Sequence, residues 1–189
     1  MKLKQSQKKR IASLLFALFI GVMSILLGFD PSTTSPISDP LQPGSFRVLA
    51  VADGDTIVID MNGTEERVRL IGIDTPEKNH PQKPVQCFAQ AATDYASSLL
   101  EGRGVRLESD PLSDNRDIYN RLLRYVYVDD IFVNYEIVAQ GYGFAYTVFP
   151  FSKSDQFEAA ELAARSSNLG LWGGCELQET NGRFETNPT

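Results

Sequence analysis

Apolar and polar residues change their period several times along this chain. "SFRVLAVA" (45–52) and "DTIVIDM" (55–61) are short β-rich runs, and Asn62-Gly63 ahead of "TEERVRLIGI" (64–73) is a two-residue hairpin signal. Three strands within about 30 residues predict a β-meander. The period then lengthens. In "VQCFAQAATDYASSLLEG" (85–102), Phe88, Ala92, Tyr95 and Leu99 fall on one helical stripe that Gly102 ends. "GVRLES" (104–109) and "RLLRYVYVDD" (121–130) read as a fourth and a fifth strand. "FVNYEIVAQG" (132–141) and "SKSDQFEAAELAARSSNLG" (152–170) read as further helices, each stopping at a glycine. That order predicts an α+β domain: a five-stranded OB-fold β-barrel capped by about three helices.

The two ends follow other patterns. Residues 1–10 form a basic flank, and residues 11–29 carry no charge. A helix of that length crosses about 30 Å of hydrocarbon. No Ala-x-Ala pattern and no lipid-accepting cysteine follows it, which favours an uncleaved signal anchor over a cleaved signal peptide. A buried core helix fits the basic flank and terminal position poorly. The positive-inside rule then puts the remainder outside the cytoplasm, anchored in the membrane through 11–29 or secreted. Pro, Ser, Thr and Asp dominate 30–44, a flexible linker. The globular domain is expected over 45–176, and 177–189, where apolar periodicity is lost, as a disordered tail.

Charge narrows the choice of partner. Of 18 basic residues, five lie in the first ten positions, leaving 13 against 24 acidic residues in the rest. This balance excludes a broad basic face for nucleic acid; a polyanion must be held by a few local arginines or a bound cation. The two cysteines, Cys87 and Cys175, both fall in the expected external domain. An oxidising compartment favours a disulfide between them, two separate buried thiols being the alternative. Neither belongs to a CxxC pair, which argues against zinc.

Candidate chemistry lies at two strand ends. "DGDT" (53–56) places Asp55 at the start of the second strand, and "IGIDTPE" (71–77) places Asp74 at the end of the third. Adjacent strands lie under about 5 Å apart, so the two carboxylates can converge. At about 4 Å and an effective dielectric near 20 their repulsion is about 4 kcal/mol, which a cation relieves. Oxygen donors without nearby His or Cys select a hard ion, calcium or magnesium. Arg69 and Arg121 offer planar forks suited to phosphate, and Glu77 is a candidate to orient or deprotonate water. Simple alternation sets Arg69 opposite Asp74 unless Gly72 hosts a bulge. Taken singly, Asp53-Gly54 reads as a turn and Arg121 as a solvated barrel charge.

In order and spacing, "VADGDTIVI", "VRLIGIDTPE" and "DIYNRLLRYVYVDD" resemble the thermonuclease-like (staphylococcal nuclease) family, over about Phe46 to Trp172. The loop in "EKNHPQKPVQCFAQAAT" is similar in length to the family's. The resemblance implies an OB-fold phosphodiesterase that uses calcium to cleave DNA and RNA, leaving 3′-phosphate ends. It implies that Asp55 and Asp74 ligate calcium through side chains and Thr75 through its carbonyl. Glu77 would then act on the attacking water, and Arg69 and Arg121 on the scissile phosphate. Tyr119 matches a nucleotide-contacting aromatic; Thr147 stands where a tyrosine is typical, with Phe149 two residues on. Asn120 replaces the family's glycine and tolerates a left-handed turn. A monomer is expected. His80, the only histidine, and Trp172 read as structural. The rival readings are a non-catalytic OB module that binds nucleic acid or protein, and a structural extracytoplasmic domain. Neither calls for acids and arginines at these spacings.

Overall fold

Asn62 and Gly63 both adopt positive φ, 56° and 86°, so β2 (Thr56–Met61) folds back tightly on β3 (Thr64–Leu70). These elements belong to a computed structural model, which describes residues 44–78, 84–180 and 183–188. The apolar run 11–29, nearly all of the linker and His80 lie outside the described residues. Among the described residues no helix is long and apolar enough to cross a membrane.

β1 (Ser45–Asp53) pairs antiparallel with β2, with register shifts between Val48 and Ala50 and between Val51 and Asp53. Such irregularities bend a strand, and β1 also pairs through Ser45–Arg47 with β5 (Gly104–Glu108). β5 pairs with β6 (Leu122–Val128), and β6 closes on β3 in parallel, Val68 to Leu122 and Leu70 to Arg124. The result is the expected closed five-stranded barrel. Its interior is filled by Val48, Ile57, Ile59, Val68, Leu70, Val105 and Val126. The two-residue strand β7 (Ile131–Phe132) extends the sheet beyond β6.

Three helices pack against the barrel. α1 (Ala89–Leu100) buries Ala89, Ala92, Thr93, Ala96 and Leu100. Only Ala92 of the expected stripe lies on that face; Tyr95 and Leu99 flank it, half-buried. Small residues let the helix approach β1 closely, and the large ones cover the sides of the contact. α2 (Val133–Ala139) carries the buried Asn134, whose Oδ1 accepts the Val126 N–H at 2.8 Å and whose amide donates to Ile71 O at 2.9 Å. α3 (Ser154–Ser166) packs on α2 and inserts Phe157 into the core.

Gly72 decides how the chain leaves the barrel. Its φ is +79°, and a Cβ there would lie 2.7 Å from the Phe151 ring, so glycine alone fits. The chain turns at this point instead of bulging. β4 (Ile73–Asp74) pairs with β8 (Phe144–Ala145) in a separate small sheet. The turn resets the pleat and brings Asp74 to the same side as Arg69.

The C-terminal tail departs from expectation. Past the short turn α4 (Leu171–Gly174), residues expected to be disordered form an antiparallel hairpin, β9 (Leu177–Thr180) with β10 (Arg183–Thr186). Phe184 lies 5.2 Å from Trp172 and 6.3 Å from Phe144, between ring centroids. The Thr186 hydroxyl, only 3% of the residue being exposed, donates to Cys87 O at 2.9 Å. A disulfide joins Cys87 to Cys175, with Cα atoms 5.9 Å apart, at the base of this hairpin.

Candidate active site

The turn between β1 and β2 carries the first acids. The Asp55 N–H donates to Asp53 Oδ1 at 3.2 Å, a local side-chain turn of the kind Asp favours. Gly54 is required by what lies opposite: a Cβ would sit 2.8 Å from Thr75 Cγ2. With that space open, Thr75 reaches Asp55, its N–H donating to Oδ2 at 3.0 Å and its hydroxyl at 3.2 Å. The Thr56 hydroxyl adds a bond to Asp55 Oδ1 at 3.0 Å. Asp55 is 6% exposed, a buried carboxylate held by three donors before any cation is considered.

Arg69 joins the two acidic segments. Its Nη2 lies 3.1 Å from Asp55 Oδ2 and 3.3 Å from Asp74 Oδ1. Its Nη1 donates to Leu70 O at 3.1 Å and Ile73 O at 2.8 Å, which fixes the plane of the fork. Asp55 and Asp74 therefore converge on one nitrogen. One arginine does not neutralise the group. Burial, then the charge of Asp55, pushes the Asp53 carboxyl up to about 7. Burial and Asp55 also push Asp74 up to about 6, against the pull of Arg69 and Arg183. Asp53, Asp55 and Asp74 together carry more negative charge than Arg69 offsets, and a further cation would favour their charged forms.

The donor chemistry fits a hard divalent ion: two convergent carboxylates, with neither His nor Cys beside them among the described residues. Asp55 and Asp74 would hold it, and backbone oxygen and water would complete its shell. Among the described residues no group of three or more His, Cys, Asp or Glu side chains is placed to hold a metal.

Arg121 is set by the loop before β6. Asp117 Oδ1 accepts the N–H groups of Tyr119 at 3.0 Å and Arg121 at 2.9 Å, around Asn120 at φ 65°. Asp117 Oδ2 then accepts Arg121 Nε at 2.7 Å, and Arg121 Nη1 donates to Thr56 Oγ1 at 3.2 Å. Burial works to raise the Asp117 carboxyl, but the hydrogen bonds from Arg121 prevail and hold it below its ordinary value. The Tyr119 ring lies 5.4 Å from the Arg121 guanidinium.

Arg69, Asp74, Tyr119, Arg121 and Phe149 line one cleft of about 660 Å³. Tyr119 and Phe149 are 74% and 67% exposed, an open rim on which flat rings can stack. Glu77 does not share this lining. With Asp74, Thr75 and Gln86 it lines a smaller pocket of about 120 Å³, and Asp74 borders both. Gln86 fixes the Glu77 backbone, its Oε1 accepting the Glu77 N–H at 2.6 Å and its own N–H donating to Glu77 O at 3.0 Å.

Several residues of the site escape a reading of the sequence. Asp117 is legible in retrospect, as an acid four positions before Arg121 in a turn segment. Thr56 and Tyr146 gave no signal; Tyr146 lines the cleft one position before Thr147. Arg183, 3.5 Å from Asp74 Oδ2, comes from the residues expected to be disordered.

A closed OB-type barrel with buried acids and two directed arginines beside one cleft defines a phosphate-handling α+β domain. Residues 67–174 match the family model described as staphylococcal nuclease homologue. The chain is similar to the thermonuclease of Staphylococcus intermedius, 36% identical over 84% of this chain and 93% of that protein. It is also similar to the thermonuclease of Staphylococcus hyicus, 33% identical over 68% of this chain and 75% of that protein. Endonuclease YncB of Bacillus subtilis is 38% identical over 64% of this chain and 57% of its own length. The chain belongs to the staphylococcal nuclease homologue family. It is accordingly a nuclease, an enzyme that hydrolyses phosphodiester bonds.

Proposed function

We propose that this nuclease is calcium-dependent, cleaves DNA and RNA to leave 3′-phosphate ends, and works as a monomer outside the cytoplasm. The observation that carries the reading is the convergence of Asp55 and Asp74 on Arg69, with Arg121 directed into the cleft that Arg69 and Asp74 line. The relatives named thermonuclease support the activity, and the oxygen-only donor set supports calcium. The Cys87–Cys175 disulfide supports an oxidising compartment, and residues 11–29 a membrane tether.

Asp55 and Asp74 would hold the calcium, which would supply positive charge against the phosphate oxygens. Arg69 and Arg121 bind the remaining oxygens and meet the charge that builds on them. Asp117 and Thr56 hold Arg121 in place beforehand, so little reorganisation accompanies the reaction. Glu77 takes a proton from the attacking water. The water oxygen forms the new bond to phosphorus, the bond from phosphorus to the 5′ oxygen breaks, and that oxygen leaves and is protonated from solvent. Tyr119 and Phe149 stack the flanking bases.

Full-length protein incubated with DNA and with RNA, in calcium and in excess chelator, tests this. Cleavage is expected with calcium alone, and end-labelling should find 3′-phosphates. Equal cleavage in chelator would overturn the metal assignment. Protease accessibility on intact cells tests the location.

A further inference from the structure

The C-terminal hairpin begins after residue 174, where the family match ends, yet it delivers a cation to the acids of the site. We propose that Arg183 is a substrate-binding residue, holding the nucleic-acid phosphate next to the one being cleaved. The inference rests on the nuclease reading above and extends it by one subsite.

The hairpin is built firmly into the molecule. On β10, Phe184 packs against Trp172 and Phe144, and Arg183, Phe184 and Glu185 line the small pocket with Asp74 and Glu77. The Cys87 N–H donates to Asn187 O at 2.8 Å, and the Thr186 hydroxyl to Cys87 O at 2.9 Å. With the disulfide to Cys175, these contacts fix the strand that carries Arg183.

Compared with the other two arginines, Arg183 is held loosely. Arg69 is bound to two carboxylates and two carbonyls, and Arg121 to Asp117 and Thr56. Arg183 Nη2 stands 3.5 Å from Asp74 Oδ2, with its side chain 45% exposed, and its guanidinium carbon is 4.8 Å from the centroid of Tyr146. A half-exposed pair at that distance adds little to stability. Its placement matters more. Asp74 borders both cavities, with Arg69 and Arg121 on the large one and Arg183 on the small one. A strand laid across Asp74 meets guanidinium groups on both sides. In a domain with net negative charge, a polyanion must be held by local groups of cations such as these.

The test uses full-length protein and its Arg183→Ala and Arg183→Gln variants, with thermal midpoints checked against the parent. Two substrates are compared in calcium: a single-stranded oligonucleotide, and a nucleoside p-nitrophenyl phosphodiester that has one phosphate only. Losing Arg183 should raise KM for the oligonucleotide about 3- to 10-fold with kcat little changed, and leave the single diester unaffected. Arg183→Lys should restore part of the loss. Binding of a fluorescent oligonucleotide in chelator, followed against salt, should show a slope reduced by about 0.7, the share of one phosphate contact on a single strand. Equal losses on both substrates would overturn the proposal, because Arg183 would then act through Asp74 on the scissile centre. A faster variant would make it an inhibitory contact, and no change on either substrate a surface ion pair; each overturns it. If the parent cleaves neither substrate the nuclease reading fails. The binding arm then decides alone, unchanged affinity and slope overturning the Arg183 subsite and a loss of both supporting it.

Discussion

Arg121 offers the sharpest test of how the cleft works. Its Nε is fixed by Asp117 Oδ2 at 2.7 Å and its Nη1 by Thr56 Oγ1 at 3.2 Å, so its position is set before substrate arrives. A unit charge about 4 Å from a phosphate oxygen interacts by about 4 kcal/mol at an effective dielectric near 20. Removing one preorganised donor from a developing oxyanion costs about 3–4 kcal/mol, on the order of 10²–10³ in rate. Arg121→Ala should therefore slow single-turnover cleavage by that factor while raising Kd much less. Asp117→Asn is a subtler change. It keeps Oδ1 for the Tyr119 and Arg121 N–H groups but sets an amide against Arg121 Nε. The lost bond to a charged group is worth about 1.5–3 kcal/mol, so a fall of about 10- to 100-fold is expected. Because Asp117 acts through Arg121, the double variant should be no slower than Arg121→Ala alone. Rapid-quench assays on an end-labelled oligonucleotide with saturating calcium give the rates, and matched thermal midpoints show that the fold survives. Parental turnover by Arg121→Ala would refute the assignment. Additive losses in the double variant would mean that Asp117 acts elsewhere.

Two further predictions concern stability. Cys87 and Cys175 close a loop with a sequence separation of 88, worth about 4–5 kcal/mol in the chain-entropy treatment; replacing both with serine should lower the urea midpoint accordingly, and an unchanged midpoint would refute it. Asp110, 5% exposed, accepts the Tyr125 hydroxyl at 2.6 Å, the Leu112 N–H at 2.7 Å and both the N–H, at 2.8 Å, and the hydroxyl of Ser152. Burial works to raise its carboxyl, but these bonds prevail and hold it down at about 2, against an ordinary value of 3.8. A depressed carboxylate stabilises the fold above the ordinary value and loses that contribution as pH falls towards the folded one. Asp110→Asn should cost about 2 kcal/mol at neutral pH and flatten the stability profile between about pH 4 and 2. An acid limb identical to the parent's would count against this bond network.

Local signals carried much of this protein. Turn chemistry at Asn62-Gly63, the change of period after Val85 and the glycines at 102 and 141 that follow the first two helices depend on neighbours a few residues away, whereas the third helix ends at Ser166, ahead of a left-handed Asn168 and short of Gly170. Asp55, Asp74, Arg69 and Arg121 were also legible, because each lies at or beside a strand end whose pairing could be expected. The pleat at Arg69 was not: period two opposes Arg69 to Asp74, and only the turn at Gly72, where positive φ and the nearby Phe151 ring leave no room for a side chain, reverses it. The placement of Glu77 was equally hidden, since Asp74 lines both cavities while Glu77 lines only the smaller one. The C-terminal hairpin was misread outright. Its four-residue strands carry too little periodicity to mark them, and their stability comes from partners far along the chain. Thr186 bonds to Cys87, 99 residues away, and Phe184 fills a slot made by Phe144 and Trp172. Short-range preference is written residue by residue, whereas such contacts exist only once the barrel and helices have brought distant segments together. That is why the sequence alone determined the barrel and its principal acids and arginines, while the tertiary structure decided which side chains face one another and placed Arg183 beside Asp74.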